Sequence, residues 1–245
     1  MNRLITGAAA ALILTLQLCG AVRAEMPAEQ KAEIEQLVRD YIIANPEIIE
    51  EALIALEDKK REAEKAKQSQ AIADLGETIF NSENQAVIGN PNGSVTMVEF
   101  FDYNCGYCKR AYSDMQALVE ANPDLRVVMK EFPILSEGSL EAARMSVAVS
   151  KLAPEKYADF HRDLLVGNGA ANHEKAVSVA ENLGLDVKAL EAEAAKEDVL
   201  KNFTEVRMLA QALGISGTPS YVIGDEAIFG AVGYDELLRK IEASR

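Results

Sequence analysis

Cysteine is scarce in this 245-residue sequence: there are three, and only Cys105 and Cys108 lie beyond residue 24. A scaffold stapled by several disulfides is excluded, so the fold must be held by apolar packing. Histidine is scarcer still, with His161 and His173 eleven residues apart. That spacing is beyond the usual range for a pair of zinc ligands, so Cys105 and Cys108 do not read as half of a four-ligand zinc site and no metal centre is expected. Cations are outnumbered, with 25 Lys and Arg against 39 Asp and Glu and a net charge of −14. Such a balance excludes nucleic-acid binding by phosphate neutralisation. No apolar run beyond residue 24 reaches the roughly 20 residues of a membrane-spanning helix. Internal repeats and low-complexity tracts are missing as well.

What is present begins with an export signal. Met1 to Ala24 opens with Arg3, runs largely apolar from Leu4 to Leu18 and ends in Val22-Arg23-Ala24, a small-x-small pattern typical of cleavage sites. Export predicts a mature chain beginning at Glu25 and a periplasmic location. Lipidation at Cys19 is disfavoured by the bulky Leu18 before it. Loss of residues 1–24 removes Arg3 and Arg23 and no acid, taking the charge from −14 to −16.

Along the mature chain, Ile34, Leu37, Val38, Tyr41 and Ile42, then Ile48, Ile49, Ala52, Leu53 and Leu56, fall at helical spacing. Two helices are expected to meet at Asn45-Pro46, with Asn45 as a cap and Pro46 in the first turn. From Glu57 to Gln70 the pattern turns to charged residues, Ala and Gln, a solvated helical linker. A short amphipathic pair cannot bury much by itself, so its stripe needs a partner, either the main domain or the same segment of another subunit. Residues 25–75 are thus expected to form a helical extension, and 76–245 a main domain.

In that domain Asn90-Pro91-Asn92-Gly93 reads as a turn before a buried strand over Val95 to Tyr103. A helix is predicted from the cysteines to Asn122-Pro123, and a second strand from Leu125 to Phe132, which together begin a βαβ unit. An Ala-rich helical block fills about 137–203, broken at Ala153-Pro154, Gly167-Asn168-Gly169 and Leu183-Gly184, and helix continues from Thr204 to Leu213 and stops at Gly214. Two short strands, Pro219 to Gly224 and Ala227 to Phe229, and a helix from Tyr234 to Ala243 complete an α/β chain: a thioredoxin-like core with a helical insertion. His161, in Tyr157-Ala158-Asp159-Phe160-His161, is placed on a helix surface.

The chemistry centres on Cys105-Gly106-Tyr107-Cys108. Two thiols separated by two residues can close and reopen a disulfide ring, which suits electron exchange with other thiols and needs no cofactor beyond the Cys105–Cys108 disulfide itself. If Cys105 opens a helix, unpaired N–H groups and the helix dipole favour its thiolate, making it the nucleophile. Cys108, one turn on and more buried, is the resolving thiol. Two thiolates also leave open the binding of a soft ion such as Cu(I) as a secondary property.

Val98-Glu99-Phe100-Phe101-Asp102-Tyr103-Asn104-Cys105-Gly106-Tyr107-Cys108, with Gly217-Thr218-Pro219-Ser220 far downstream, resembles the DsbA-type thiol:disulfide oxidoreductases of bacterial envelopes over roughly Val87 to Arg245. The extension, with Tyr41-Ile42-Ile43-Ala44-Asn45-Pro46, further resembles the copper-sensitivity suppressor subgroup, ScsC, in which such a segment can make the protein oligomeric. The resemblance implies that Pro219 is cis and that Thr218 and Pro219 lie beside the cysteines, forming with Gly106 and Tyr107 the surface that meets a client. It implies for Glu99 the role of a buried acid that exchanges protons with Cys108, for which the flanking apolar residues argue in favour of burial. Lys130 could stand near that acid.

The strongly oxidising branch of this family carries Pro-His between the cysteines and Val before the proline, whereas Gly106-Tyr107 and Thr218 look more like envelope disulfide isomerases. Isomerase or reductase is therefore the expected activity, with a dithiol oxidase as one alternative and a copper-binding or chaperone-like protein without turnover as another. The implied partners are exported clients bearing thiols or disulfides, a membrane electron donor, and further copies of the chain, a trimer included, assembled through residues 28–56.

Overall fold

The computed structural model describes residues 26–83 and 85–245. The signal peptide expected over Met1 to Ala24, with Cys19, lies outside the described residues. The chain divides into two compact units, one ending at Lys60 and the other Arg61–Arg245. The expected boundary at 75 falls inside a long helix that begins in the first unit and ends in the second.

The first unit holds α1 (Ala28–Ala44) and the start of α2 (Glu47–Asn81). The helices meet at Asn45-Pro46, where Pro46 accepts from Ile49 N–H as α2 begins. Asn45 acts on the other helix: its backbone N–H and its side-chain Nδ2 both donate to Tyr41 O, closing the C-terminus of α1. No residue of α1 is buried, and Leu37, Tyr41, Ile43 and Leu53 remain exposed.

The second unit is built on a five-stranded sheet of order β1-β3-β2-β4-β5. Its strands are β1 (Ala86–Gly89), β2 (Val95–Phe101), β3 (Leu125–Glu131), β4 (Ser220–Ile223) and β5 (Glu226–Phe229). Only β2 and β3 are parallel, as the βαβ reading requires, and α3 (Gly106–Ala121) joins them. Strand β1 has no counterpart in the sequence reading; it pairs antiparallel with the outer side of β3.

Side chains alternate across a sheet, and here each face has its own core. Met97 and Phe101 of β2, Val127 and Met129 of β3 and Tyr221 of β4 pack with Met115 and Leu118 of α3, with Leu237 and Ile241 of α9 (Tyr234–Ala243), and with the helical block. Val98, Phe100, Val128 and Val222 face the other way, against Val206, Leu209 and Leu213 of α8 (Glu197–Leu213) and Ile72 and Ile79 of α2. Burying Ile72 and Ile79 contributes about 1.5–3 kcal/mol each and fixes the end of α2 to this face.

The helical block comprises α4 (Glu137–Leu152), a short 3-10 turn at Pro154–Lys156, α5 (Tyr157–Val166), α6 (His173–Asn182) and α7 (Val187–Ala194). Helix α8 runs unbroken across residue 203, where the block is expected to end; the break lies at Ala195-Lys196 instead. At the far edge of the sheet, Gln68 of α2 accepts a hydrogen bond from Ala227 N–H of β5 and donates one to Leu213 O at the end of α8.

Candidate active site

The buried β2 strand ends at Phe101, and the chain then turns through Asp102-Tyr103-Asn104 into α3. Cys105 is the N-cap of that helix, with extended φ and ψ of −77° and 113°, and its sulfur accepts from Cys108 N–H at 3.4 Å. The Cys105 thiol donates to Thr218 O at 3.1 Å, so the segment far downstream in sequence borders the first cysteine. Thr218–Pro219 is the cis peptide bond of the described residues. Both cysteines are free thiols; Cys105 keeps 5% exposure and Cys108 none. Burial, then the nearby Glu99 carboxyl, pushes the Cys108 thiol well above the ordinary range.

Glu99 is 4% exposed and burial pushes its carboxyl up to about 8. It shares the β2 face of Met97 and Phe101, the face that carries α3. Lys130 is equally buried but pairs in register with Phe100, on the opposite face, where its Nζ donates to Thr78 O and stands 4.0 Å from Glu205. The sheet therefore separates Lys130 from Glu99, and no lysine on the neighbouring strand lowers the cost of ionising that acid. Burial holds the Lys130 ammonium down to about 8.

Gly106 is exposed, and a Cβ there would meet only Arg110 Nη1 at 3.9 Å, so packing does not demand glycine. Tyr107 projects outward with 61% exposure, and the Arg110 guanidinium lies 4.3 Å from its ring centre, within cation–π range. Thr218 is half-buried and Pro219 buried; together with Gly217 and the exposed Phe229 they line a shallow depression beside Cys105.

Two residues of the approach loop escaped the sequence reading as site residues. The Asp102 carboxylate accepts from Asn104 N–H at 2.7 Å, Ile134 N–H at 2.8 Å and Leu135 N–H at 3.0 Å. Asn104, directly before the first cysteine, exchanges a pair of hydrogen bonds with Ala171, accepting at 2.7 Å and donating at 2.9 Å, while its Nδ2 also reaches Ser136 and Ser139 Oγ. The thiol is thereby bolted to the helical block on one side and abuts the Thr218 carbonyl on the other. An asparagine against the redox motif was a signal available in the sequence; its partners at 136, 139 and 171 were not.

His161 is a correction. It is 1% exposed and packs edge-on to Phe101 and stacked on Tyr157, with Nδ1 3.2 Å from the Tyr103 hydroxyl. Burial pushes its imidazole down to about 3, so it stays neutral. Beside it, Ser146 Oγ lies 2.6 Å from the Tyr103 hydroxyl and 2.5 Å from Glu131 Oε1, to which the Tyr157 hydroxyl donates at 3.4 Å. Burial also pushes the Glu131 carboxyl up to about 8. Among the described residues no group of three or more His, Cys, Asp or Glu side chains could hold a metal ion, and no helix is long and apolar enough to cross a membrane.

The arrangement can do one kind of chemistry well. An outer thiol at a helix N-terminus exchanges with an external disulfide, and an inner thiol within reach closes the ring.

Comparison with known proteins agrees with this geometry. The family profile of the DSBA-like thioredoxin domain matches residues 96–242, and that of the copper resistance protein ScsC N-terminal domain matches residues 30–63. Disulfide bond formation protein D of Bacillus subtilis (strain 168) is 27% identical over 168 residues, covering 64% of this chain and 76% of that protein. A thioredoxin-like oxidoreductase from Silicibacter pomeroyi is 41% identical, with a TM-score of 0.66 over 69% of this chain and 96% of the other. Proteus mirabilis ScsC in a transitional conformation is 32% identical, with a TM-score of 0.66 over 90% of this chain and 97% of the other.

Proposed function

The chain belongs to the family of DSBA-like thioredoxin-domain proteins, and on that premise we propose that it is an exported thiol:disulfide oxidoreductase acting chiefly as an isomerase or reductase. The observation that carries the reading is the asymmetry of the two thiols: Cys105 at the helix start with Cys108 N–H on its sulfur, Cys108 fully buried behind it. In this reading the Cys105 thiolate attacks a client disulfide, forming a Cys105–client bond and releasing one client thiolate, which takes up a proton. Either a second client thiol displaces Cys105, leaving a rearranged client, or Cys108 gives up its proton and attacks Cys105, so that the client leaves reduced and the Cys105–Cys108 disulfide forms. Glu99 receives the Cys108 proton, which only its carboxylate form can do, and its raised pKa of about 8 poises it for that exchange. The client lies along Thr218-Pro219 and against Tyr107.

Gly106-Tyr107 lacks the histidine that stabilises a thiolate in strongly oxidising relatives, which supports isomerase or reductase over oxidase. An isomerase must be kept reduced, so a membrane electron donor is the implied partner. The exposed Leu37, Tyr41, Ile43 and Leu53 support assembly of several copies through the first unit, which would gather active sites around one client. Residues 1–24 support export to the periplasm.

The test is recovery of native pairing in a scrambled multi-disulfide substrate. The mature chain should restore it, and Leu37→Asp with Leu53→Asp should lower both the subunit number by sedimentation and the isomerisation rate. Oxidation of a reduced substrate without isomerisation would move the assignment to oxidase. A Cys108→Ser variant should accumulate mixed disulfides through Cys105; binding of Cu(I) with no such adducts would remove the enzyme reading.

A further inference from the structure

Tyr221 is fully buried, and its hydroxyl has no hydrogen-bond partner among the described residues. A buried, unpaired hydroxyl is a burden on the fold, and phenylalanine would fill the same space without it. Its position suggests what it serves. Tyr221 of β4 is the direct register partner of Glu99 on β2, and directly paired residues project from the same face of a sheet with Cβ atoms about 4.5–5.5 Å apart. That face carries α3, and Tyr221 belongs to the same buried cluster as Cys105 and Cys108.

The ionisable groups whose charge reaches Tyr221 are Glu99 on β2 and Cys108, Asp114 and Cys105 on or at the head of α3. All four become negative on ionising, none is a cation, and Lys130 is on the other side of the sheet. Among the described residues no acceptor atom stands within hydrogen-bond reach of the hydroxyl, and with the acid and thiol both protonated the pocket holds no charge. It gains one when Glu99 ionises, and that charge passes to Cys108 as the thiol hands over its proton.

We propose that Tyr221 is a positioning residue for the Cys108 step, its O–H donating to the negative charge while that charge passes between Glu99 and Cys108. The inference rests on the reading of Glu99 as the proton acceptor for Cys108. In the step itself the Cys108 S–H bond breaks and its proton goes to the Glu99 carboxylate. The Cys108 sulfur then bonds to Cys105 Sγ, and the Cys105–client sulfur bond breaks with its electron pair leaving on the client thiolate. The two protein thiols are oxidised, the client is reduced, and the proton on Glu99 returns to the client thiolate or to water. A donor left unpaired in the neutral pocket and drawn to the charge once Glu99 has ionised favours the charged forms that lead to the transition state over the fully protonated resting state.

Stopped-flow reaction of the reduced mature chain with dithiobis-nitrobenzoate, which releases one coloured thiolate when Cys105 attacks and a second when Cys108 resolves the adduct, separates the two steps. Tyr221→Phe should leave the first phase unchanged and slow the second about tenfold, the scale of a lost hydrogen bond to a charged group. The rise of the second phase with pH, followed from about pH 6 to 9, should move to higher pH, because the charged forms lose a donor. The melting temperature should be unchanged or higher, since only an unpaired hydroxyl is removed. Glu99→Gln should slow the second phase and flatten its pH profile. A slowed second phase in Glu99→Gln with none in Tyr221→Phe overturns the assignment of Tyr221 alone. No effect in either variant overturns it together with the role of Glu99, and equal slowing of both phases with a lower melting temperature overturns it in favour of a packing role.

Discussion

Glu131 should make the folded protein less stable as the medium becomes more alkaline. It is 5% exposed at the end of β3, and burial raises its carboxyl from 4.5 to about 8. Below pH 4.5 folded and unfolded chains both hold the proton. Between 4.5 and 8 the unfolded chain releases it and the folded chain keeps it, so stability falls with rising pH by ~1.4 kcal/mol per unit, or ~4 kcal/mol from pH 5 to 8. Glu99, raised to about 8 in the same way, adds a loss of the same sign. His161, held down to about 3, acts oppositely: the unfolded chain binds a proton below 6.5 that the folded chain refuses, so stability rises from pH 3 to 6.5. Glu131→Gln isolates one of these contributions, because the amide oxygen still accepts from Ser146 and Tyr157 while the group no longer titrates. Urea denaturation of the reduced protein, followed by circular dichroism at fixed protein concentration, should give nearly equal stabilities at pH 5. At pH 8 the variant should lead by several kcal/mol. A difference that stays constant from pH 5 to 8 would refute the argument, since it would mean that the folded protein carries Glu131 already ionised.

Other perturbations bear on the scaffold. Asn104→Ala removes the paired hydrogen bonds to Ala171 and should destabilise the second unit by about 2–3 kcal/mol in urea titrations, with hydrogen exchange rising first in the segment around residue 171. Gly89 has φ of +83°, and a Cβ there would lie 2.5 Å from Leu125 O. Gly89→Ala should therefore cost about 2–3 kcal/mol, whereas Gly169→Ala, whose Cβ meets nothing within 4 Å, should cost less in the same assay. Gln68→Ala should release the Ala227 amide and speed its hydrogen exchange while leaving dithiobis-nitrobenzoate kinetics unchanged.

Much of this arrangement was legible in the residues. The near-continuous apolar run over Val95 to Phe101 announces a doubly buried strand, and the break at Asn122-Pro123 marks the end of α3. The two-residue spacing of the cysteines announces redox chemistry, and the family resemblance supplied Pro219 as their neighbour. His161 was misread although the signal was there. Tyr157, Phe160, His161, Leu164 and Leu165 follow the i, i+3, i+4, i+7, i+8 rule of a buried stripe, so periodicity outweighs the polarity of one imidazole. Strand β1 left little trace because its apolar run, Ala86-Val87-Ile88, is too short to show a period. The side of the sheet on which Lys130 falls depends on the register of β3 against β2, which no local pattern contains. Tyr221 was read only as part of a strand, since its significance comes from lying opposite Glu99 across a pairing between segments more than a hundred residues apart.

The contact between Gln68 and β5 matters for what the sheet can do outside its own fold. The outermost strand of an open sheet is a template on which any extended chain can add, and an oxidoreductase that meets partly unfolded clients works among such chains. Here the Ala227 amide is already engaged by a side-chain carbonyl from the same molecule, and α2 lies along that flank. On the proposed function, a client met at the cysteines finds this part of the β5 edge already taken, so that exchange chemistry and strand addition at β5 are kept apart, one open and one stoppered.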